Sequence, residues 1–331
     1  MDKSAEEIVF DDKGVCNFCE QAQKSLKEIK TETLPYIKGK KYDCLIGLSG
    51  GVDSAMVLHH AVKMGLRPLC FTMDNGWNDK RADENVLRMV EKLKVPLYRY
   101  VIDLQKYREV QGAFLKAGIK NLEAITDHIL FAITYEMANK YGIKYILTGG
   151  NTATESIMPA SWGEDPRDLK WIKAVYKSQT GKRLKGLPTI SLLKEQYYRL
   201  IKQKKFVRLL DFVGYNRQEA IELLNKEYGF QDYGEKHCEN TWTWWFQNFY
   251  LFEKFGIDKR KAHLSSLINS GQITRQQALE VLDKGPVFPF IGLEKKVLAY
   301  PYSKYEDYPN SKKIREWVVK LYKYIPKKWK S

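Results

Sequence analysis

Cysteine is scarce in this sequence: five residues, Cys16, Cys19, Cys44, Cys70 and Cys238, are spread over 331. That is too few and too scattered for a disulfide framework in a chain of this length. Long apolar runs are missing too. None approaches the roughly 20 residues of a bilayer-spanning helix, so no membrane partner is expected. The opening segment, Met1 to Glu7, is acidic and polar where a secretory signal is basic and then apolar, so a cytoplasmic location is expected by default. No loop of the GxxxxGK-S/T kind occurs, which excludes a P-loop nucleotide site. Internal repeats and low-complexity tracts are also absent.

The composition supports a globular protein: 44% hydrophobic residues against 29% charged leave enough apolar surface for a substantial core. The net charge of +15 is local. Lys170 to Arg208 holds twelve Lys/Arg against one acid, Glu195, and Lys312 to Lys330 holds eight against Glu316. Such stretches either attract phosphate- or carboxylate-bearing ligands, nucleic acid or an acidic surface, or form solvated helical faces. Cys44 and Cys70 lie in apolar runs and read as small buried hydrophobes. Only Cys16-Asn17-Phe18-Cys19 has ligand spacing.

Residues 1–41 form a lead-in with that cysteine pair and a Lys/Glu-rich helix over 21–31. A β/α alternation follows. Strands are expected at 43–48, 67–73, 97–102 and 144–148, and helices at 54–64, 79–94 and 127–141, with Gly65 and Gly142 as C-caps. This pattern implies a doubly wound parallel sheet in an α/β domain over 42–155. From 156 to 331 the pattern becomes mainly helical, which suggests a substrate or partner region.

Ser49-Gly50-Gly51-Val52-Asp53-Ser54 sits between the first strand and its helix. Backbone amides converge there and the helix dipole favours an anion. Two glycines let the backbone approach phosphate oxygens, and Ser49 and Ser54 add hydroxyl donors. Without the P-loop lysine, a loop holding β,γ-phosphates as one unit suits cleavage between the α- and β-phosphates.

The loop resembles the pyrophosphate-binding motif of the N-type ATP pyrophosphatases, the PP-loop superfamily with its adenine nucleotide alpha-hydrolase-like fold. The resemblance implies that Ser49, Gly50, Gly51, Val52, Asp53 and Ser54 bind the pyrophosphate of ATP, with Asp53 near magnesium. It further implies that Thr72, Met73 and Asp74 contact adenosine, and that Thr148, Gly149, Gly150 and Asn151 complete the nucleotide site. Glu155 resembles a magnesium ligand, against the alternative of a helix cap. Across nearly all of its length the chain resembles the N-acetyl sugar amidotransferase family. The marks are Phe10 to Cys19, Thr126-Asp127-His128, Thr148 to Pro159, Tyr233 to His237 and Phe255 to Arg275. Members of this family usually carry a second CxxC upstream, completing a four-thiolate zinc site. This sequence has none, so zinc at Cys16 and Cys19 requires other groups.

The implied activity is that of a synthetase subunit. It adenylates an acetamido oxygen of an anionic N-acetylated sugar acid or nucleotide sugar, and ammonia then displaces AMP to leave an acetamidine. The products suit lipopolysaccharide O-antigen or flagellar pseudaminic/legionaminic acid biosynthesis. Asp53, Asp127 and His128 are the catalytic candidates; for the last two, an N-cap aspartate and a packed histidine remain equal alternatives. His237 and His263 pose the same choice. The aromatic run from Trp242 to Tyr250 stacks a sugar or fills a core. No GxCxG glutaminase motif occurs, so a separate glutaminase and a cyclase-like ammonia-conducting subunit are the expected partners, with a homodimer open. Two rivals stand beside this reading, a tRNA-thiolating enzyme and an ATP-binding scaffold for a glutaminase. Neither an RNA-binding module nor a persulfide-carrying domain is evident, so nucleic acid is not the expected partner.

Overall fold

Short apolar runs at β1 (Cys44–Gly47), β2 (Pro68–Asp74), β3 (Leu97–Val101) and β4 (Tyr145–Thr148) form the strands of a parallel sheet. The computed structural model describes residues 1–29, 33–234, 236 and 238–322. A fifth strand, β5 (Lys205–Arg208), pairs with β4, and the order is β3-β2-β1-β4-β5. β5 lies well past residue 155, so the α/β unit draws on sequence beyond the expected boundary.

The strand side chains alternate between the two faces of the sheet. Leu45, Leu69, Phe71 and Ile146 enter one core, and Cys44, Ile46, Cys70, Leu147 and Val207 the other. On the second face lie α2 (Val52–Lys63) and α3 (Lys80–Leu93), preceded in the chain by α1 (Asn17–Ile29). On the first face lie α4 (Leu104–Ala117), which the sequence reading did not place, and α5 (Ala124–Lys140). The expected helix over 21–31 starts earlier, at Asn17, and residues 30–32 are outside those described. At the N-terminal edge of β1, Asp43 accepts from the backbone N–H of Gly39 and Arg67 and from the Arg67 guanidinium, all at 2.9–3.0 Å. That guanidinium holds the Asp43 carboxyl far below the usual carboxylate range and ties the entry of β1 to that of β2.

After β4 come α6 (Thr152–Glu155), α7 (Leu169–Thr180), α8 (Leu192–Gln196) and, beyond β5, α9 (Arg217–Tyr228). A continuous helical run follows: α10 (Thr241–Trp245), a π-helical turn over Phe246–Tyr250, and α11 (Leu251–Phe255). Then α12 (Lys259–Asn269), α13 (Arg275–Asp283), α14 (Glu294–Ala299) and α15 (Lys312–Tyr322) close the described chain. Trp242, Trp245, Phe246, Phe249 and Tyr250 are buried, so most of the aromatic run is core, while Trp244 is only partly buried. Among the described residues no helix is long and apolar enough to cross a membrane.

β2 lies on one side of β1 and β4 on the other, so the chain reverses direction across the sheet between β1 and β4. In open α/β sheets that switch point opens a crevice at the C-terminal strand ends.

Candidate active site

The loop from β1 to α2 passes through this crevice. Gly50 adopts φ of +86°, and a Cβ there would lie 2.4 Å from the Ala82 carbonyl oxygen of α3, so only glycine fits. Gly51 caps α2 without a side-chain bond, which leaves first-turn N–H groups of α2 for a ligand. The Ser49 and Ser54 hydroxyls are 3.2 Å apart, Ser54 donates to the Gly51 carbonyl at 3.1 Å, and Gly51 N–H donates to Ser49 Oγ at 3.2 Å. From the other side of the crevice, Gly149 at the end of β4 packs so closely that a Cβ would lie 3.1 Å from Asp53 Cβ and from Ser54 N. Glycine on both sides brings the two loops together.

Asp53 points into the crevice and faces Glu155, the last residue of α6. Between them sits the Lys236 ammonium, 2.8 Å from Asp53 Oδ2 and 2.6 Å from Glu155 Oε1. Burial opposes the lysine charge, and the two carboxylates outweigh it, so its pKa is raised. Tyr215 donates to the other Asp53 oxygen, and Tyr233 donates to the Gly50 carbonyl. Glu239 approaches from the C-terminal side, its carboxylate 3.2 Å from where a Gly51 Cβ would stand, and burial raises its pKa. The Lys236 ammonium thus sits between two carboxylates beside a phosphate-type loop. No group of three or more His, Cys, Asp or Glu able to hold a metal forms among the described residues, and Asp53 and Glu155 are the two oxygen donors that a magnesium ion on the loop would use.

Two adjoining cavities open from this point. The smaller, about 890 Å³, is lined by Ser49, Gly51, Val52, Asp53, Ser54, Thr148, Gly149, Gly150 and Glu155. The larger, about 1670 Å³, takes in Thr72, Met73 and residues of the C-terminal region. Ser49, Asp127, Glu155 and Glu239 line both. Asp127 lies in the first turn of α5, which begins at Ala124, so it is not the cap of that helix.

Four expectations are corrected. His128 is buried, with Nδ1 2.8 Å from the Pro166 carbonyl and Nε2 accepting from Ile190 N–H at 3.2 Å. Both ring nitrogens are committed to backbone and the ring lines neither cavity, so it packs rather than catalyses. Asp74 pairs with Arg99 at 2.7 Å and takes the Gly76 N–H, away from both cavities. Asn151 turns inward to cap α6, accepting from Thr154 N–H at 2.8 Å. Cys16 and Cys19 have their sulfurs 3.5 Å apart, but no group of three or more His, Cys, Asp or Glu able to hold a metal forms among the described residues. Among the described residues zinc therefore finds no further ligands there. Of the other histidines considered, His263 is half-buried with Nδ1 3.5 Å from the Thr154 carbonyl, and His237 lies outside the described residues.

The basic run over 170–208 does not form the cavity wall. Of its lysines and arginines only Arg199 lines a cavity. Lys182 pairs with Glu109, Lys194 with Glu136 and Arg208 with Asp211, while buried Lys204 donates to the Ala138 and Ile143 carbonyls.

Residues 28–196, a little over half of the chain, match the family described as NAD synthase. The chain belongs to this family. It is a PP-loop synthetase of the ATP-dependent ligase type, and residues 239–322 match the C-terminal domain of the LPS biosynthesis protein WbpG-like family. The pairing of these two segments supports the resemblance of the chain to the N-acetyl sugar amidotransferase family within the PP-loop superfamily. An uncharacterized protein of Methanocaldococcus jannaschii is 30% identical over 157 residues, covering 44% of this chain and 55% of that one. The chain thus spans about half the length of the curated relative it matches. NMN synthetase from Francisella tularensis is 19% identical, covering 69% of this chain and 91% of that one at a TM-score of 0.30. U34-tRNA thiolase NcsA from Methanococcus maripaludis is 12% identical, covering 87% and 90% at 0.40.

The site of this PP-loop synthetase is composite. Asp53, Asp127 and Glu155 come from the NAD synthase segment, Glu239, Thr243 and Lys259 from the WbpG-like domain, and Tyr215, Tyr233 and Lys236 from the stretch between. Glu123, Tyr215, Glu239, Lys236 and Lys259 had no role in the sequence reading. The signal for Lys236 was its place in the Tyr233–His237 run, and for Lys259 its place in Phe255–Arg275. For Glu123 it was the spacing of one helical turn before Asp127.

Proposed function

We propose that this PP-loop synthetase adenylates the acetamido oxygen of an N-acetylated sugar acid or nucleotide sugar and lets ammonia displace AMP, leaving an acetamidine. The observation that carries this reading is the continuity of the phosphate-loop cavity with the larger one, whose far wall includes the WbpG-like domain. ATP seated on the Ser49–Ser54 loop would place its α-phosphate toward the shared wall at Asp127, where a second substrate enters from the larger side.

An amide carbon resists ammonia because its leaving group is poor, and adenylation supplies a good one. No cysteine or histidine among the described residues lines either cavity, which fits direct transfer without a covalent enzyme intermediate. Magnesium held by Asp53 and Glu155 would offset charge on the phosphates. Lys236, released from between those carboxylates, would turn its ammonium to the phosphoryl oxygens and stabilise charge as it develops. Arg167, Arg199, Lys304 and Arg315 on the larger cavity suit a carboxylate or diphosphate on the sugar. Ammonia would come from a separate glutaminase through a cyclase-like subunit.

The test is incubation of the purified chain with ATP, magnesium, ammonium and a panel of N-acetylated sugar acids and nucleotide sugars. Production of AMP, pyrophosphate and a sugar in which NH replaces O is the expected result, with glutamine inactive in place of ammonium. ATP binding with no AMP from any sugar would contradict the reading.

A further inference from the structure

At the inner end of the larger cavity, Glu123 and Asp127 stand one helical turn apart at the N-terminus of α5, and both line it. Glu123 is only 9% exposed. One of its oxygens, Oε2, accepts from the Thr243 hydroxyl at 2.9 Å, while Oε1 has no hydrogen-bond partner. A buried carboxyl oxygen left unsatisfied costs about 1–3 kcal/mol, so it is retained against a stability penalty. Lys259 of α12 lines the same cavity and acts electrostatically on Asp127, Glu123 and Glu155.

We infer that Glu123 and Asp127, with Lys259 beside them, form the subsite that receives ammonia and takes its proton as it adds to the adenylated substrate. The inference rests on the amidine-forming reading above. Asp127 lines both cavities, so it stands where the adenylated carbon and an incoming nucleophile would meet.

Ammonia donates its lone pair to the carbon of the protonated O-adenylyl imidate, forming a C–N bond and a tetrahedral intermediate that bears an ammonium. One N–H proton passes to the Asp127 carboxylate. The C–O bond then breaks, AMP leaves with its electron pair, and the sugar nitrogen lone pair closes to the amidinium. Glu123 Oε1, the oxygen without a partner, orients ammonia in the pocket, and Lys259, whose pKa burial lowers, sets its charge against Asp127 and Glu155. Burial pushes Asp127 up to about 6, against the pull of Lys259. Burial, followed by the Asp127 charge, pushes Glu123 up to about 8. A pair split in this way holds one proton near neutrality and has one carboxylate free to accept another.

Asp127→Asn, Glu123→Gln and Asp127→Glu in the full chain test this, with the N-acetylated sugar on which the wild type forms AMP. Sugar-dependent ATP–pyrophosphate exchange without ammonium reads adenylation, and amidine formation with ammonium reads the second step. In Asp127→Asn the expected result is that amidine formation falls about 100-fold or more, at least about tenfold further than sugar-dependent exchange falls. In Glu123→Gln the KM for ammonium rises by a larger factor than exchange falls, and Asp127→Glu restores part of the lost step. Amidine formation at wild-type rates in both neutral variants would overturn the inference, as would parallel loss of exchange and amidination. If the wild type forms AMP with no N-acetylated sugar, the amidine-forming reading itself fails and this inference falls with it.

Discussion

Lys236 holds an ammonium between Asp53 and Glu155, and removing it leaves two carboxylates facing one another in a largely buried site. Breaking a buried ion pair costs about 3–5 kcal/mol because the remaining charge is uncompensated. Lys236→Met is therefore expected to unfold at a lower temperature than the wild type, and magnesium alone is expected to recover much of the loss by binding the bared carboxylates. A thermal unfolding series with and without magnesium checks this, and equal magnesium effects on both proteins would contradict it. Glu123 gives a prediction of opposite sign. Its carboxyl titrates at about 8 in the fold against an ordinary value of 4.5. Between those values the unfolded chain binds fewer protons than the native one, so this group lowers stability as pH rises through the window. Glu123→Gln should accordingly gain about 2–4 kcal/mol of stability above pH 8 and little near pH 4. Denaturant titrations of both proteins at the two pH values measure it. Residues that weaken a fold where they stand are found disproportionately at working sites.

At the scale of elements, the crevice depends on two loops approaching through glycine. A methyl at Gly149 would press on Asp53 and Ser54 at 3.1 Å, and both belong to α2, which is packed on the sheet and has little room to yield. Gly149→Ala is expected to cost about 1–3 kcal/mol and to weaken ATP binding about tenfold or more, measured by denaturation and by nucleotide titration. Wild-type affinity would show that β4 and α2 are not held in this register. The elements around this crevice were legible in the sequence because each carries a strong local signal. Leu45 and Ile46 are fully buried, Ala55, Val57, Leu58 and Ala61 repeat at helical spacing, and Ser49 to Ser54 breaks both patterns. β5 was not legible. It is an edge strand of four residues, Lys-Phe-Val-Arg, with only Val207 buried, and its charged ends read as part of a basic surface. His128 and Asn151 carry polar side chains in motif-bearing stretches, and no local pattern distinguishes one aimed at a ligand from one aimed at backbone. Tertiary partners decide it: Pro166 and Ile190 for His128, and Thr154 for Asn151.

For the whole molecule, the site draws on the NAD synthase segment, the WbpG-like domain and the stretch between them, which supplies Tyr215, Tyr233 and Lys236. The first supplies the phosphate loop, Asp127 and Glu123, and the second supplies Glu239, Thr243 and Lys259 on the opposing wall. The +15 net charge is a poor guide to this arrangement, because of the twelve lysines and arginines over 170–208 only Arg199 lines either cavity. The cations on the larger cavity are Arg199 from that run together with Arg167, Lys304 and Arg315; the three arginines are paired there with Asp165 and Glu195, and the four converge only in the fold. The central claim is that ATP activates the oxygen of an acetamido group. Its most direct test is transfer of a heavy-oxygen label, with the label placed in the acetamido carbonyl of the N-acetylated sugar and the products analysed by mass spectrometry after turnover with ammonium. The account predicts one label in the phosphate of AMP and none in pyrophosphate or in the amidine. Label recovered in pyrophosphate, or AMP formed without label, would contradict it.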